Sequence, residues 1–468
     1  MNVLNISASI FATLLLAIFL LSGFFMGKKV KNSADFDKGG KSAGALLVAG
    51  SIIGTLVGGS STVGTAQLGF NSGFSALWFT LGSSLGCILL AIFLVVPLRK
   101  HGSTTIVGMI TDEYGSKTGA LAGILSAFGL MINLIAQILA ANALLAALFP
   151  INSTWCAIIS AAMMFLYVFG GVKGTGYLGV AKTVMLYVTV AASSILCIIL
   201  NDGVASFGEV LPKHQYFNLF ARGAGIDLGA GLSVALGVIS TQTYAQSIMS
   251  AKSDKCAKKG AFLSALIIPF VGIGSLLIGY FMRITVPELN PSQAFPQFIM
   301  SHMPPFVSQL MLVVLLITVL GTGAGISLGL SSTLSNGLIK RMFSGKNVSD
   351  KKMLLISRGI ILLALFFAVI VTQTSLKSTI LTWGFMSMGL RAVVLLAPML
   401  CALFIPGKTK AISAILSSSA GLISMMAIFL SPISEKIDPL IIGMAVVVTI
   451  YLFSLLLGRF SKKENKNV

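Results

Sequence analysis

Apolar runs long enough to cross a bilayer recur from one end of this chain to the other. That recurrence constrains the fold more than any other feature. A hydrocarbon core about 30 Å thick needs roughly 20 apolar residues in helical form. Thirteen such runs can be marked, at about residues 4–26, 43–70, 73–97, 119–148, 153–170, 177–200, 227–250, 260–284, 306–338, 354–373, 378–405, 409–430 and 438–458. Of 468 residues, 56% are hydrophobic and 10% charged, too few charges to cover a soluble protein of this size. The chain therefore reads as an all-α polytopic membrane protein of about 13 transmembrane helices.

A net charge of +19 could suggest nucleic acid as a partner. The placement of the charge argues against it. Most of the 32 basic residues fall in alternate loops, the positive-inside pattern. Lys213, Arg222, Arg283, Lys377 and Lys436 stand on the opposite side. The N-terminus is then outside and the C-terminus cytoplasmic. The first run has its lysines after it rather than before it, so it reads as a retained span, not a cleavable signal. Short loops without targeting extensions fit a bacterial cytoplasmic (inner) membrane. The five cysteines are scattered and show no disulfide or zinc spacing. His101, His214 and His302 lie in loops, and no triad, phosphate loop or paired carboxylates appear, so an enzyme is not expected. No protein partner is implied.

Two basic residues, Lys182 and Arg391, fall inside spans, whereas all 13 acidic residues fall in loops or at span ends. The membrane interior thus holds two cations and no carboxylate.

"GTLVGGSSTVG" (Gly54–Gly64) interrupts the second run with glycines and hydroxyls. Lipid cannot satisfy a freed backbone, so a broken helix must line a polar cavity or be buried in protein. Unwinding at Gly58 and Gly59 would free carbonyls for a cation and amides for an anionic group, with Ser60 and Ser61 beside them. The same residues would also suit close helix packing. "ITVLGTGAGISLGLSSTLSNG" (Ile317–Gly337) reads as a second interruption and favours the binding reading. Thr318, Gly321 and Thr322 share one helix face. Sodium needs roughly five or six oxygens, which carbonyls and hydroxyls can supply without a carboxylate.

With these segments in view, the chain resembles the sodium:solute symporter family, the group of the proline, pantothenate, sialic acid and sodium-glucose symporters. "GKKVKNSADFDKGGKSAG" is similar to the loop before that family's first core helix. "GGSSTVGTAQLGFNSGFSALWFTLGSSLG" resembles its first two core helices. "TQTYAQSIMSAKSDKCAKKGAFLSAL" looks like its sixth core helix and the basic loop after it, and "LLAPMLCALFIPGKTKAISAI" like the tenth. The resemblance covers about residues 20–430. It implies the leucine-transporter-type 5+5 inverted repeat. The expected units are 1–42 (an extra span and cytoplasmic loop), 43–200 and 227–405 (the two five-helix repeats), 201–226 (an extracellular loop) and 406–468 (two extra spans and a tail). It further implies a sodium (Na+) site of the carbonyls of Gly54, Val57 and Thr318 and the hydroxyl of Thr322. Gly321 stands where many relatives have a second hydroxyl. Solute-site candidates are Gly58, Ser60, Ser61, Gln67, Gln137 and Thr241; Gln67, near the outer end of its span, could instead be solvated there.

Two departures bear on mechanism. Lys182 stands near a position where many relatives carry an aspartate associated with sodium. Its ammonium could fill the cation site and make the protein proton-coupled or uncoupled, or it could snorkel to the nearby cytoplasmic interface. Arg391 lies about 13 residues into its helix, roughly 20 Å from the outer end. It should face the bundle, either as a partner for a carboxylate-bearing solute or tied to helix-end carbonyls. The overall expectation is a secondary active transporter, sodium-coupled, importing a small organic solute by alternating access. A non-transporting sensor or receptor, and a channel, are the alternatives. The tail after Gly458 has no room for a signalling domain.

Overall fold

The computed structural model describes residues 10–17, 42–168, 171–335, 350–376 and 378–464. The lysine-rich stretch 27–41 and Lys377, used above for orientation, lie outside them. Residues 10–17 are helical within the first apolar run. Every later run has its helix. The second run forms α1 (Ala45–Leu56) and α2 (Thr65–Ser72), joined through a π-helical turn at Ser60–Gly64. There follow α3 (Trp78–Leu89), α4 (Ser116–Leu148), α5 (Ser153–Val168) and α6 (Gly171–Leu200). The seventh run is again two pieces, α7 (Ala224–Ile239) and α8 (Gln242–Met249). The rest are α9 (Asp254–Thr285), α10 (Pro305–Leu334), α11 (Asp350–Thr374), α12 (Ile380–Phe404), α13 (Ala411–Phe429) and α14 (Pro439–Glu464). Among the described residues there is no strand, only an isolated bridge between Ala43 and Ala251.

Helical backbone continues from Ser60 to His101, 42 residues. At 1.5 Å per residue that is about 63 Å, twice the ~30 Å core of a bilayer. The chain turns back at Gly73, with φ +61° and ψ −133°. A Cβ there would lie 2.2 Å from the Tyr216 carbonyl oxygen, so only glycine fits. The two runs seen in the sequence on either side of Gly73 are therefore two spans.

Burial separates centre from periphery. The apolar window of α10 is 94% buried, against 28% for α6, 28% for α11 and 22% for α14. The outer helices turn their leucines and phenylalanines outward, as lipid-facing helices do. In the centre α10 packs on α4 and α6, and α12 packs on α4 and α7. Helix α9 lies against α1, α2 and α3, and α13 pairs with α14 at one edge.

The two broken helices stand five spans apart, so they cross in opposite directions. Helix α8 packs against both α1 and α10, which brings the breaks to one place. The second interruption expected at Ile317–Gly337 is not there: α10 runs unbroken to Leu334. Its hydroxyls bond back to their own helix, Thr318 to Val314 O at 2.8 Å, Ser327 to Gly323 O at 2.8 Å and Thr333 to Gly329 O at 2.8 Å. Its glycines serve close approach instead. A side chain at Gly323 would strike Met164, and one at Gly325 would strike Thr55. The second break lies in the seventh run, where α7 and α8 meet at 44°. There Thr241 is extended (φ −100°, ψ 126°) and its hydroxyl donates to Gly237 O at 2.6 Å.

Candidate cation and solute site

Helix α1 stops because Val57 is extended (φ −90°, ψ 102°) and the hydroxyls beyond it compete for carbonyls. Ser61 donates to Leu56 O at 3.4 Å, Thr62 to Gly58 O at 2.9 Å and Thr65 to Ser60 O at 3.1 Å. The helix restarts as a π turn closed by Gly64 N–H on Gly59 O at 2.8 Å. A Cβ at Gly58 would lie 2.7 Å from the Thr322 side chain, and one at Gly59 would lie 2.3 Å from Ala140. The paired glycines thus let α10 and α4 close on the break. The freed amide of Gly59 donates to Gln137 Oε1 at 2.9 Å, and Gln137 Nε2 donates to Asn133 Oδ1 at 3.0 Å. Gln137 is the cap of the second half-helix.

Gly54, Val57, Thr318 and Thr322 converge. The Thr322 hydroxyl lies 3.2 Å from Gly54 O and 3.2 Å from Val57 O, so its single hydrogen bridges α10 to the open end of α1. Lys182 enters this group from α6. Its Nζ donates to Thr318 O at 3.2 Å and to Thr322 Oγ1 at 3.3 Å. A Cβ at Gly321 would lie 2.9 Å from Nζ, and one at Gly54 would lie 3.4 Å from Cε. The two glycines make the slot the lysine occupies. Lys182 is 4% exposed, so it does not snorkel. Three carbonyls and a hydroxyl form a neutral oxygen set that suits a hard monovalent cation, and here an ammonium holds two of those oxygens.

Ser60, on the other side of the break, carries a buried hydroxyl with no partner among the described residues. Ser60 Oγ and the Phe79 ring each lie 3.1 Å from where a Gly384 Cβ would stand, so glycine at 384 lets the two come together. Phe79 pairs with Phe385 at 5.8 Å between ring centroids. Above Phe385 lies the Arg222 guanidinium, 5.6 Å from the ring centroid. Arg222 is held by Asp227, with Nη2 and Oδ1 2.6 Å apart, and Ser75 donates to the other carboxylate oxygen at 2.9 Å. An arginine–aromatic stack therefore runs from Arg222 through Phe385 to Phe79, beside Ser60. In the sequence Phe79 reads as a packing or interface residue and Arg222 only as a loop charge, while Gly384 and Phe385 do not stand out, because glycines and aromatics in apolar runs look like packing. Ser61 is buried beside the same break and bonds backward into it. Gln67 is buried rather than solvated, and its Oε1 accepts the Ile380 amide at 2.9 Å, tying α2 to the start of α12.

Arg391 is 1% exposed and reaches the second break. Nη1 donates to Thr241 Oγ1 at 2.8 Å, Nε to Ser387 O at 3.0 Å and Nη2 to Ser387 Oγ at 3.1 Å and Met388 Sδ at 2.9 Å. Ser387 in turn donates to Gly129 O at 2.6 Å. The guanidinium thus knots α12, α4 and the α7–α8 break together. Ion pairs such as Arg99–Asp254 and Arg222–Asp227 involve neither Arg391 nor Lys182.

Two antiparallel broken helices, packed round a buried set of neutral oxygens, fit a polytopic helical transporter. The family model for the sodium:solute symporter family matches residues 36–421, and this chain belongs to that family. The human high-affinity choline transporter 1 is 24% identical over 417 residues, covering 83% of this chain and 71% of that protein. The high-affinity proline transporter PutP of Bacillus subtilis (strain 168) is 22% identical over 405 residues, covering 81% and 84%. Among solved structures, a Na+-coupled sialic acid symporter in a substrate-bound outward-open state matches with a TM-score of 0.79, 16% identity and 98% coverage of both chains. Mhp1, a nucleobase-cation-symport-1 family transporter in a closed conformation, matches with a TM-score of 0.58, 14% identity and coverage of 90% and 94%. The fold is the leucine-transporter-type inverted repeat.

Proposed function

We propose that this protein imports a small organic anion by alternating access, with the Lys182 ammonium standing where sodium-coupled relatives hold sodium. The observation that carries this reading is the pair of hydrogen bonds from Nζ to Thr318 O and Thr322 Oγ1, inside the oxygen set that family resemblance assigns to sodium. The ammonium links α6 to α10 and, through Thr322, to the broken end of α1. A bound sodium ion would make the same link. Sodium can only leave, whereas an ammonium can also give up its proton. Loss of that proton removes the positive charge that organises the carbonyls, so proton release takes the part of sodium release. Proton and solute then share a coupling free energy, each favouring the other's binding in one state.

The anionic character of the solute follows from charge. Lys182 and Arg391 are both buried, and neither meets a carboxylate among the described residues. Burying uncompensated cations is costly, and a negative solute offsets that cost. Of the solutes in the relatives' names, choline is a cation and does not suit this field, whereas proline, a zwitterion, offers it a carboxylate but no net negative charge. The solute would sit at Ser60 and Ser61, under Phe79 and Phe385. The N-terminus is taken as outside and the cytoplasmic membrane as the location.

A second reading, sodium-coupled symport, is favoured by the family itself. One experiment separates the two. Thermal unfolding of the purified protein is measured in NaCl and in KCl at equal ionic strength. The lysine reading expects no sodium-specific shift; a sodium-specific stabilisation refutes it and supports sodium coupling. A thermal screen of organic acids, amino acids and sugars then identifies the solute. Uptake into proteoliposomes under imposed sodium or pH gradients tests the coupling directly.

A further inference from the structure

A polar cavity of about 30 Å³ lies between α1, α8 and α10, room enough for a water molecule or two. Thr243, Gln246, Ser247 and Ser250 line it from one face of α8 and its cap, at i, i+3, i+4 and i+7. Ser51 and Thr55 line it from α1. On α10, Gly325 leaves the room, because a Cβ there would lie 2.5 Å from the Thr55 methyl. None of the three helices carries a charged residue.

The hydrogens of the lining hydroxyls are already committed. Thr55 donates to Ser51 O at 2.9 Å, Ser247 to Thr243 O at 3.0 Å and Ser250 to Ser247 O at 2.8 Å. The Ser51 and Ser247 hydroxyl oxygens lie 2.8 Å apart. With the Ser247 hydrogen on a carbonyl, Ser51 is the donor of that pair. Gln246 Nε2 donates to Ser332 Oγ at 3.0 Å. Each of the four hydroxyls therefore keeps only lone pairs to offer a guest. Thr243 is the exception: it is 7% exposed, and its hydroxyl is buried with no partner among the described residues. A buried hydroxyl left unpaired costs free energy, which a guest in the cavity would recover.

We propose that this cavity binds a water-sized monovalent cation, potassium or ammonium. Lone pairs whose hydrogens point elsewhere attract a positive ion or an N–H donor, and give an anion nothing to bind beyond Thr243. Neutral oxygens suit a single charge, whereas a divalent ion calls for carboxylates. The site shares no residue with the oxygen set of Gly54, Val57, Thr318 and Thr322, so it stands whether or not Lys182 replaces sodium there. A cation held here ties the two broken helices, through α1 and α8, to the unbroken α10. Binding to this arrangement of the three helices stabilises it by mass action.

The test is thermal unfolding of the purified full chain in the chlorides of potassium, ammonium and N-methylglucamine, the last a cation too large to enter, at equal ionic strength. Potassium or ammonium should raise the midpoint, and the larger rise names the guest. Thr243→Val keeps the volume and removes only the unpartnered hydroxyl. It should be no less stable than the unaltered protein in N-methylglucamine chloride, and should lose most of the rise. Lys182→Ala should keep the rise, which separates this site from the one the lysine occupies. Crystals of the unaltered protein soaked in rubidium chloride should show an anomalous-scattering peak within reach of Ser51, Thr55 and Thr243, a readout that depends on no variant. The site is overturned if neither salt raises the midpoint, if Thr243→Val keeps the full rise, if Lys182→Ala loses it, or if water alone fills the cavity in the rubidium crystals.

Discussion

If the Lys182 ammonium stands in for sodium, replacing Lys182 with alanine should create a sodium stabilisation that the unaltered protein lacks. The substitution removes two charged hydrogen bonds, to Thr318 O and Thr322 Oγ1. Such bonds are worth about 1.5–3 kcal/mol each. It also removes an uncompensated buried cation, which returns part of that loss. Without sodium, a net destabilisation of a few kcal/mol at most is expected. The four oxygens of Gly54, Val57, Thr318 and Thr322 are then free to face a metal ion. At a sodium concentration one hundred times its Kd, binding restores about 2.7 kcal/mol. Adding Gly321→Ser should tighten that binding. The Gly321 Cβ position lies 2.9 Å from where Nζ stood, so the new hydroxyl enters the vacated space as an extra ligand. The assay is thermal unfolding in NaCl against KCl, for the unaltered protein and both variants. The reasoning is refuted if the unaltered protein shows the sodium-specific gain and Lys182→Ala loses it, because the lysine would then be a neighbour of the sodium site and not its occupant.

Three further outcomes follow from the same geometry. Gln137→Leu strands the Gly59 amide in a buried place, and unfolding should show a loss of about 1–3 kcal/mol. Gly58→Ala forces a Cβ to within 2.7 Å of Thr322, so it should cost about 1–3 kcal/mol and, in the Lys182→Ala background, abolish the sodium response in the same thermal assay. Arg391→Lys keeps the charge but loses the fork that joins Thr241 to Ser387, and should lower stability by about 2 kcal/mol. If Arg391→Gln leaves solute affinity unchanged in a binding titration, the guanidinium is a structural knot alone and contributes nothing to anion recognition.

How much of this was legible beforehand differs from element to element. The break at Gly58 and Gly59 was visible because glycines and hydroxyls in an apolar run have no business in lipid unless something polar meets them. The same cue misled at Ile317–Gly337. A hydroxyl can bond its own helix four residues back, as Thr318 does, and a glycine can simply admit a neighbour, as Gly325 admits Thr55. Composition does not distinguish those uses from unwinding. The second break, at Ser240 and Thr241, has no glycine pair and left only a weak trace. Lys182 and Arg391 were conspicuous, because a charge within a span must be explained. What they touch was not conspicuous.

The sequence by itself determined that the chain is a multi-span helical membrane protein, and which two cations and which polar segment had to be accounted for. Hydrophobicity and charge act through local composition, and local composition is written in the chain. Only the tertiary structure decided that Lys182 fills the oxygen slot instead of reaching for the interface, that Gln137 caps the broken helix, and that Arg222 stacks through Phe385 on Phe79 beside Ser60. Each of those contacts joins residues far apart in the chain. Their geometry is set by how helices pack, which no single segment encodes.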